Sequence, residues 1–128
     1  MVVSDLSVTF HAGTRRVLRV TIVDDDTTGS PAFPLTGGEI VKFNLARLSN
    51  GIPLKANPLI DFRSDVSAQV VITDAANGIV EIELLPADTA ALLVTSYSFQ
   101  VEVYTSLDAN PVMVSEGTIT LLTNTDNV

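Results

Sequence analysis

The stretch that decides the fold is ELLPADTAALLVTSYSFQVEV, residues 83–103. Its second half, YSFQVEV (97–103), alternates apolar and polar residues, which is the pattern of a β-strand with one buried face and one solvated face. Its first residues end a similar run, IVEIEL (79–84). PADTAALL (86–93) lies between the two runs, does not alternate, and is rich in helix formers. The sequence therefore predicts two strands joined by one short helical turn near 86–93.

The helical turn also predicts how the two strands are arranged. If they lie in opposite sheets, the turn carries the chain across the end of the core. Pro86 is suited to a helix start, and Asp88 can cap the first turn or lie favourably at its positive end. Tyr97 then opens the next strand and points inward, so its hydroxyl needs a backbone partner in the preceding loop. This arrangement is the tyrosine corner of immunoglobulin-like sandwiches, and it predicts structural roles for Tyr97 and Asp88.

Period-two alternation recurs along the whole chain and predicts strands at 6–10, 16–23, 39–45, 66–72, 79–84, 97–103 and 118–122. All six prolines lie outside these segments, as expected for residues that cannot donate to a strand ladder. We interpret 74–78 as a short loop in which Asn77 and Gly78 accept positive φ. We interpret 49–62 as a long crossover with a short strand at 59–62.

These elements predict an all-β fold, an immunoglobulin-like antiparallel two-sheet β-sandwich of about seven strands. Residues 1–123 are expected to form a single domain, and the polar segment 124–128 a C-terminal tail.

Composition excludes several classes of function. The chain has 128 residues and no cysteine, so thiolate catalysis and cysteine-based zinc sites are excluded. The N-terminal residues lack a basic head and a long apolar segment, and we expect no signal peptide and no membrane insertion. The net charge of −8 argues against nucleic acid as a partner.

The charge is distributed unevenly. Residues 1–63 carry seven basic and six acidic residues, a formal charge of +1, whereas residues 64–128 carry nine acidic residues and no basic one, a formal charge of −9. The favoured interpretation is a solvated acidic surface. The alternative is that the two halves expose faces of different sign, so that copies could stack head to tail. The candidate interaction residues are the basic Arg15, Arg16 and Arg19 and the acidic Glu81, Glu83 and Glu102.

The strongest candidate for a metal site is VDDDTTGS, residues 23–30. Asp24 and Asp26 occupy the first and third positions of a calcium loop, but Leu35 stands at the twelfth, where a bidentate Glu is required. An acidic turn that opposes edge pairing is the favoured interpretation, and Asp24 and Asp26 remain weak metal candidates.

Catalytic machinery is not evident in the sequence. His11 is the sole histidine, and no G-x-S-x-G motif accompanies it. Glu81 and Glu83 share a solvated strand face without an aromatic sugar platform nearby, unlike the carboxylate pair of a glycosidase. We expect no catalytic residues, no cofactor and no enzymatic activity.

Seven motifs along the chain together carry a resemblance to a known family: Gly13-Thr14, Asp24–Gly29, Leu35-Thr36-Gly37, Gly78–Leu84, Asp88-Thr89 with Leu92, Tyr97, and Gly117-Thr118. In this series the chain resembles the immunoglobulin-like domains of phage tail and baseplate proteins, such as the N-terminal domain of the baseplate upper protein. The resemblance implies a virion structural module of a phage or prophage, assembled in the bacterial host cytoplasm. Its partners would be other tail subunits or further copies of the chain. The alternative is a carbohydrate- or host-receptor-binding module, against which the scarcity of exposed aromatic residues counts.

Overall fold

The computed structural model describes residues 6–22, 35, 38–54, 57–106, 111 and 113–123. Within them, the strands are β1 (Leu6–His11), β2 (Arg16–Thr21), β3 (Ile40–Ser49), β4 (Ile52–Pro53), β5 (Ile60–Arg63), β6 (Val70–Asp74), β7 (Ile79–Leu84), β8 (Ser96–Tyr104) and β9 (Met113–Leu122). A 3₁₀ turn, Ala75–Asn77, separates β6 from β7, and the helical turn α1 (Pro86–Thr89) follows β7.

The strands form two sheets. The larger has the order β1-β9-β8-β3-β4, with β5 also paired to β3, and the smaller has the order β2-β7-β6. Neighbouring strands are antiparallel except β1 and β9, which pair in parallel. The predicted sandwich is confirmed, and β7 and β8 lie in different sheets, as the helical turn between them predicted.

The core is formed by the inward-facing residues of the two sheets. Burial alternates along β8 from Ser96 to Tyr104, as expected for a strand with one buried and one solvated face. The ring centroids of Phe43 and Phe99 lie 5.8 Å apart, which is within the usual range for an aromatic pair. Among the described residues, the almost fully buried large side chains include Val20, Ile22, Val41, Phe43, Leu45, Ile82, Leu84, Tyr97, Phe99, Ile119 and Leu121.

The segment predicted as a crossover is instead largely a hairpin. Strand β3 continues to Ser49, beyond the predicted end at residue 45, and the chain returns as β4. Asn50 and Gly51 have φ of 53° and 79°, and a two-residue loop with positive φ at both positions is the type I′ hairpin turn. Pro53 lies within β4, so the prediction that every proline falls outside a strand is wrong. Proline cannot donate a backbone hydrogen bond. An edge strand tolerates it where the backbone N–H of another residue would face solvent.

Two further strands also differ from the predicted boundaries. The strand predicted at 66–72 begins only at Val70, and the short strand predicted at 59–62 appears as β5. Residues before Val70 turn instead, with the Ser67 amide donating to the Arg63 carbonyl at 2.8 Å. At the 74–78 loop only Gly78 has positive φ among the described residues.

Helical turn α1 is bonded to both sheets. The Asp88 carboxylate accepts a hydrogen bond from the Leu85 amide at 2.7 Å and another from the Gln69 side chain at 2.8 Å. The hydroxyl of Thr89, which is fully buried, accepts from the Gly13 amide at 2.9 Å. Asp88 thus caps the turn from its third position, as the sequence allowed, and α1 is fixed between β6 and the β1–β2 turn.

Tyr97 closes the end of the core. Its side chain is 2% exposed, and its hydroxyl donates to the Leu93 carbonyl at 2.6 Å. The predicted inward orientation and the predicted backbone partner are both confirmed. The connection from α1 to β8 is therefore held against the core by a buried hydrogen bond.

Replacing Tyr97 with Phe tests the contribution of this bond. The substitution keeps the ring and leaves the Leu93 carbonyl without its donor, so the free energy of unfolding should fall by about 1–3 kcal/mol. Tyr104→Phe is the matched control because the Tyr104 hydroxyl bonds the half-buried Glu102 carboxylate at a longer 3.2 Å. Urea denaturation of the two variants measures the difference. Equal losses would contradict the structural role of the Tyr97 hydroxyl.

Thr89→Val tests the bond between α1 and the β1–β2 turn. Valine has a similar shape but no oxygen acceptor, so the Gly13 amide loses its partner and stability should fall by about 1–3 kcal/mol. Hydrogen exchange at the Gly13 amide should also become faster. Thr73→Val, at an exposed position, is the control and should change stability by less than about 0.5 kcal/mol. Unchanged exchange at Gly13 in Thr89→Val would refute the proposed role of this bond.

Candidate interaction surface

The described residues contain no group of three or more His, Asp or Glu side chains positioned to hold a metal ion. Asp24 and Asp26, the weak metal candidates, lie outside the described residues, so their role remains a prediction. No helix in the described part of the chain has the length and apolar character needed to span a membrane.

The basic and acidic interaction candidates lie side by side in the smaller sheet. Strand β2 pairs with β7, and the register places Arg19 directly opposite Glu81. Arg15 forms an ion pair with Glu83, with Nη2 at 2.5 Å and Nε at 2.6 Å from the same carboxylate oxygen. The two side chains are 61% and 34% exposed, so this surface pair adds little stability.

This pairing bears on the predicted separation of charge. Within the smaller sheet, basic β2 lies beside acidic β7, so among the described residues of this sheet the two halves of the chain are not separated by charge. Arg16 is exposed at the start of β2, where its register partner is Leu84. The role of these residues in contacts with other molecules stays a prediction.

Glu102 lies on the outer face of the other sheet. Its carboxylate accepts hydrogen bonds from the Asn44 side chain at 3.1 Å and from the Tyr104 hydroxyl at 3.2 Å. Its register partner on β3 is Lys42, whose Nζ lies 5.6 Å from the centre of the Tyr104 ring. Glu102 thus belongs to a local polar cluster, and does not share a face with Glu81 and Glu83.

A cavity that the sequence did not predict opens at the end of the sandwich. Its volume is about 270 Å³, and its lining residues are Arg47, Leu48, Leu93, Thr95, Ser96 and Tyr97. Arg47 and Tyr97 are register partners on β3 and β8, so their side chains project from the same face. The cavity therefore lies between the β3–β4 hairpin and the connection from α1 to β8.

Exposed apolar side chains flank this cavity on both sides. On the hairpin, Ser49 pairs with Ile52 and the Leu54 amide donates to the Arg47 carbonyl at 2.8 Å. Strand alternation then places Ile52 and Leu54 on the same face as Arg47. Solvent exposure is 66% for Ile52, 45% for Leu54, 69% for Leu93 and 52% for Val94. We call the cavity and its flanking residues Ile52, Leu54 and Val94 the end cleft.

Sequence reasoning missed the end cleft because it ended β3 at residue 45. The dipeptide Asn50-Gly51 is the strongest short-range hairpin signal and would have identified it. Applied there, this rule predicts the strand continuation through Arg47 and the return through Ile52.

Arg47 dominates the electrostatics of the end cleft. Burial raises the pKa of Tyr97 above its ordinary value, and the positive charge of Arg47 opposes this shift. The Arg47 guanidinium makes no ion pair or hydrogen bond with the side chain of another described residue. The cleft thus combines apolar walls with a cation that has no carboxylate beside it in the described chain.

Comparisons with known proteins bear on the fold. No protein-family model and no curated protein sequence matches this chain. The structure is similar to that of the NK cell receptor Nkp44, described as a triggering partner in natural cytotoxicity. The TM-score is 0.50 at 13% sequence identity, and the match covers 93% of this chain and 99% of that chain. The chain has an immunoglobulin-like fold. At this level of identity, the similarity shows the fold and nothing more.

The position of the Phe43–Phe99 pair can be compared with the core of an antibody domain. In antibody domains, the second cysteine of the inter-sheet disulfide follows the corner tyrosine by two residues, and a tryptophan packs against the disulfide. Here Phe99 follows Tyr97 at that spacing, and Phe43 packs against it from β3. In this cysteine-free domain, an aromatic pair occupies the centre of the core.

The raised pKa of Tyr97 predicts a loss of stability at alkaline pH. Below about pH 10, the tyrosine is protonated in both the folded and the unfolded chain. As the pH rises further, the unfolded chain releases the proton while the folded chain retains it, so stability falls until the pH passes the folded-state pKa. Urea denaturation between about pH 8 and pH 11 should show this decline.

Tyr97→Phe provides the control for the alkaline decline. The variant should lose stability less steeply above about pH 10, although Tyr104 continues to contribute because its pKa is also raised, chiefly by burial. Identical slopes for the two proteins would show that Tyr97 does not contribute to the alkaline decline.

Proposed function

We propose that this chain is a non-enzymatic assembly module of a virion, in the tail or baseplate of a phage or prophage. The observation that supports it is the end cleft, where exposed aliphatic side chains cluster around a cavity on a rigid sandwich. The resemblance of the sequence motifs to phage tail and baseplate domains supplies the virion setting. The mechanism is geometric, because the sandwich holds the cleft in one orientation while a neighbouring subunit covers it.

The clustering of apolar side chains is what favours an interaction. Single exposed aliphatic residues are normal on protein surfaces, whereas clustered ones mark sites where another molecule binds. Covering Ile52, Leu54, Leu93 and Val94 would stabilise a complex by about 25 cal/mol per Å² of apolar surface removed from water. Interface hot spots are enriched in Trp, Tyr and Arg in central pockets, and Arg47 and Tyr97 both line this cavity.

The alternative, a carbohydrate- or host-receptor-binding module, has less support. Sugars commonly stack on open aromatic rings, but Tyr97 is buried and Tyr104 is half-buried with Lys42 over its ring. A glycan array that gives reproducible hits with the purified chain would favour this alternative over the assembly role.

Light scattering of the purified chain over a concentration series tests self-assembly. We expect a concentration-dependent oligomer, and the double variant Ile52→Ser with Leu93→Ser should weaken it by about tenfold or more, since each removes exposed apolar surface. Val66→Ser is the matched control because Val66 is 72% exposed and follows β5, near the opposite end of the sandwich. That variant should assemble like the unmodified chain.

The same experiment with charge-reversed Arg15, Arg16 and Arg19 tests the interaction residues predicted from the sequence. Unchanged assembly would remove these three from the interface. A strict monomer, combined with no complex upon mixing with proteins encoded by neighbouring genes, would contradict the assembly function.

A further inference from the structure

We propose that the end cleft binds an extended peptide segment of a partner protein in which an acidic side chain lies beside a large aliphatic one. The carboxylate would pair with Arg47, and the aliphatic side chain would enter the cavity beside Leu93. This inference deepens the proposed function and rests on it, since it names the chemistry of the partner at the assembly surface.

The size of the cavity favours a side chain over a free small molecule. At about 270 Å³, the cavity is at the small end of the range of about 300–1,000 Å³ typical of small-molecule pockets. A single aliphatic side chain with part of its backbone fits such a volume. Ile52 and Val94, exposed by 66% and 52%, extend the apolar surface beyond the cavity, where a small ligand would leave them uncovered. A polypeptide would cover both the cavity and this surround.

The polar groups of the cavity determine which charge the segment carries. The Leu93 carbonyl already accepts from Tyr97, and the Thr95 carbonyl accepts from the Leu121 amide at 3.0 Å. The Ser96 hydroxyl is bonded to the Thr120 hydroxyl at 2.9 Å. The Arg47 guanidinium is therefore the strongest donor still available, and a planar guanidinium matches a carboxylate with two parallel hydrogen bonds.

The geometry places the charged and apolar subsites next to each other. Arg47 and Tyr97 are register partners on β3 and β8, and both line the cavity. Leu93 borders the same cavity from the other side. An acidic and an aliphatic residue two positions apart in an extended segment project from the same side, so they would reach both subsites without any change in the hairpin.

A defined peptide tests the inference directly. The probe is the blocked peptide acetyl-Leu-Ala-Glu-Ala-Leu-amide, in which Glu and both Leu share one side when extended; it is titrated into isotope-labelled protein and followed by NMR. We expect saturable shift changes at Arg47, Leu93 and Thr95. The peptide with Gln in place of Glu should bind about tenfold more weakly, because it loses the charge-assisted hydrogen bonds. The peptide with Ser in place of both Leu should also bind more weakly.

Variants of the protein assign the effect to the cleft. Arg47→Gln should remove the preference for Glu over Gln, whereas Arg19→Gln, a matched exposed arginine on the other sheet, should preserve it. Both backbones keep their ladder hydrogen bonds, so both variants should fold. No saturable shift at millimolar peptide, shifts located elsewhere, or equal affinity for the Glu and Gln peptides would overturn the inference.

Two further results separate the possible occupants. If 4-methylpentanoate binds as tightly as the Glu peptide, the cleft is a site for small organic acids and the peptide proposal is overturned. If the peptide competes with self-association, a second copy presents the proposed chemistry and the inference is supported. Assembly that persists in Arg47→Gln, with no peptide binding by the unmodified chain, would leave the assembly function standing while this inference fails.

Discussion

The hydrogen bond from the Tyr97 hydroxyl to the Leu93 carbonyl is the constraint on which the end of the sandwich depends. It joins the first buried residue of β8 to the chain that arrives from α1, after that chain has crossed from one sheet to the other. Without it, the Leu93 carbonyl would be left without its donor beside the buried ring. The same bond fixes Leu93 at one wall of the end cleft and Tyr97 at its floor. One interaction therefore closes the core and shapes the candidate interaction surface.

The sequence predicts the parts of the fold in which the burial of each residue follows from its position in its own strand or turn. Tyr97, Asp88 and the alternating runs on either side of α1 followed from periodicity and local turn chemistry, and the two-sheet sandwich followed from them. The parallel pairing of β1 with β9 did not, because pairing partners far apart in sequence depend on the whole topology. The end of β3 was misplaced for a different reason. Arg47 and Ser49 are polar residues on the face that is buried earlier in the strand, and the loss of alternation suggested an end where the chain had only passed beyond the core.

The order of charged residues along the sequence does not by itself predict how charge is distributed on the folded surface. Seven basic residues at or before Arg63 and nine acidic residues after it suggest two regions of opposite sign. The order β2-β7-β6 brings the first part of the chain against the second, so Arg19 lies opposite Glu81 and Arg15 pairs with Glu83. Opposite charges on paired strands stabilise the register slightly, and two of the nine acidic residues after Arg63 thereby face a basic residue within one sheet. Arg47 remains distinct because its strand lies in the other sheet, where no described carboxylate meets it.

In the end cleft, most of the residues that would contact a partner differ from those that stabilise the fold. Tyr97 serves both, since its ring belongs to the core and its edge lines the cavity, so any change there alters folding and binding together. Arg47, Leu93 and Ile52 differ because their side chains project beyond the core and are exposed. The bond that positions Leu93 uses its backbone carbonyl, and a substitution of its side chain leaves that bond intact. The type I′ turn at Asn50-Gly51 likewise fixes the hairpin through backbone conformation, so the surface of the cleft can vary while its frame is retained. This division between a fixed backbone frame and variable exposed side chains suits the proposed assembly module. The frame keeps one orientation while the side chains fit a particular neighbour.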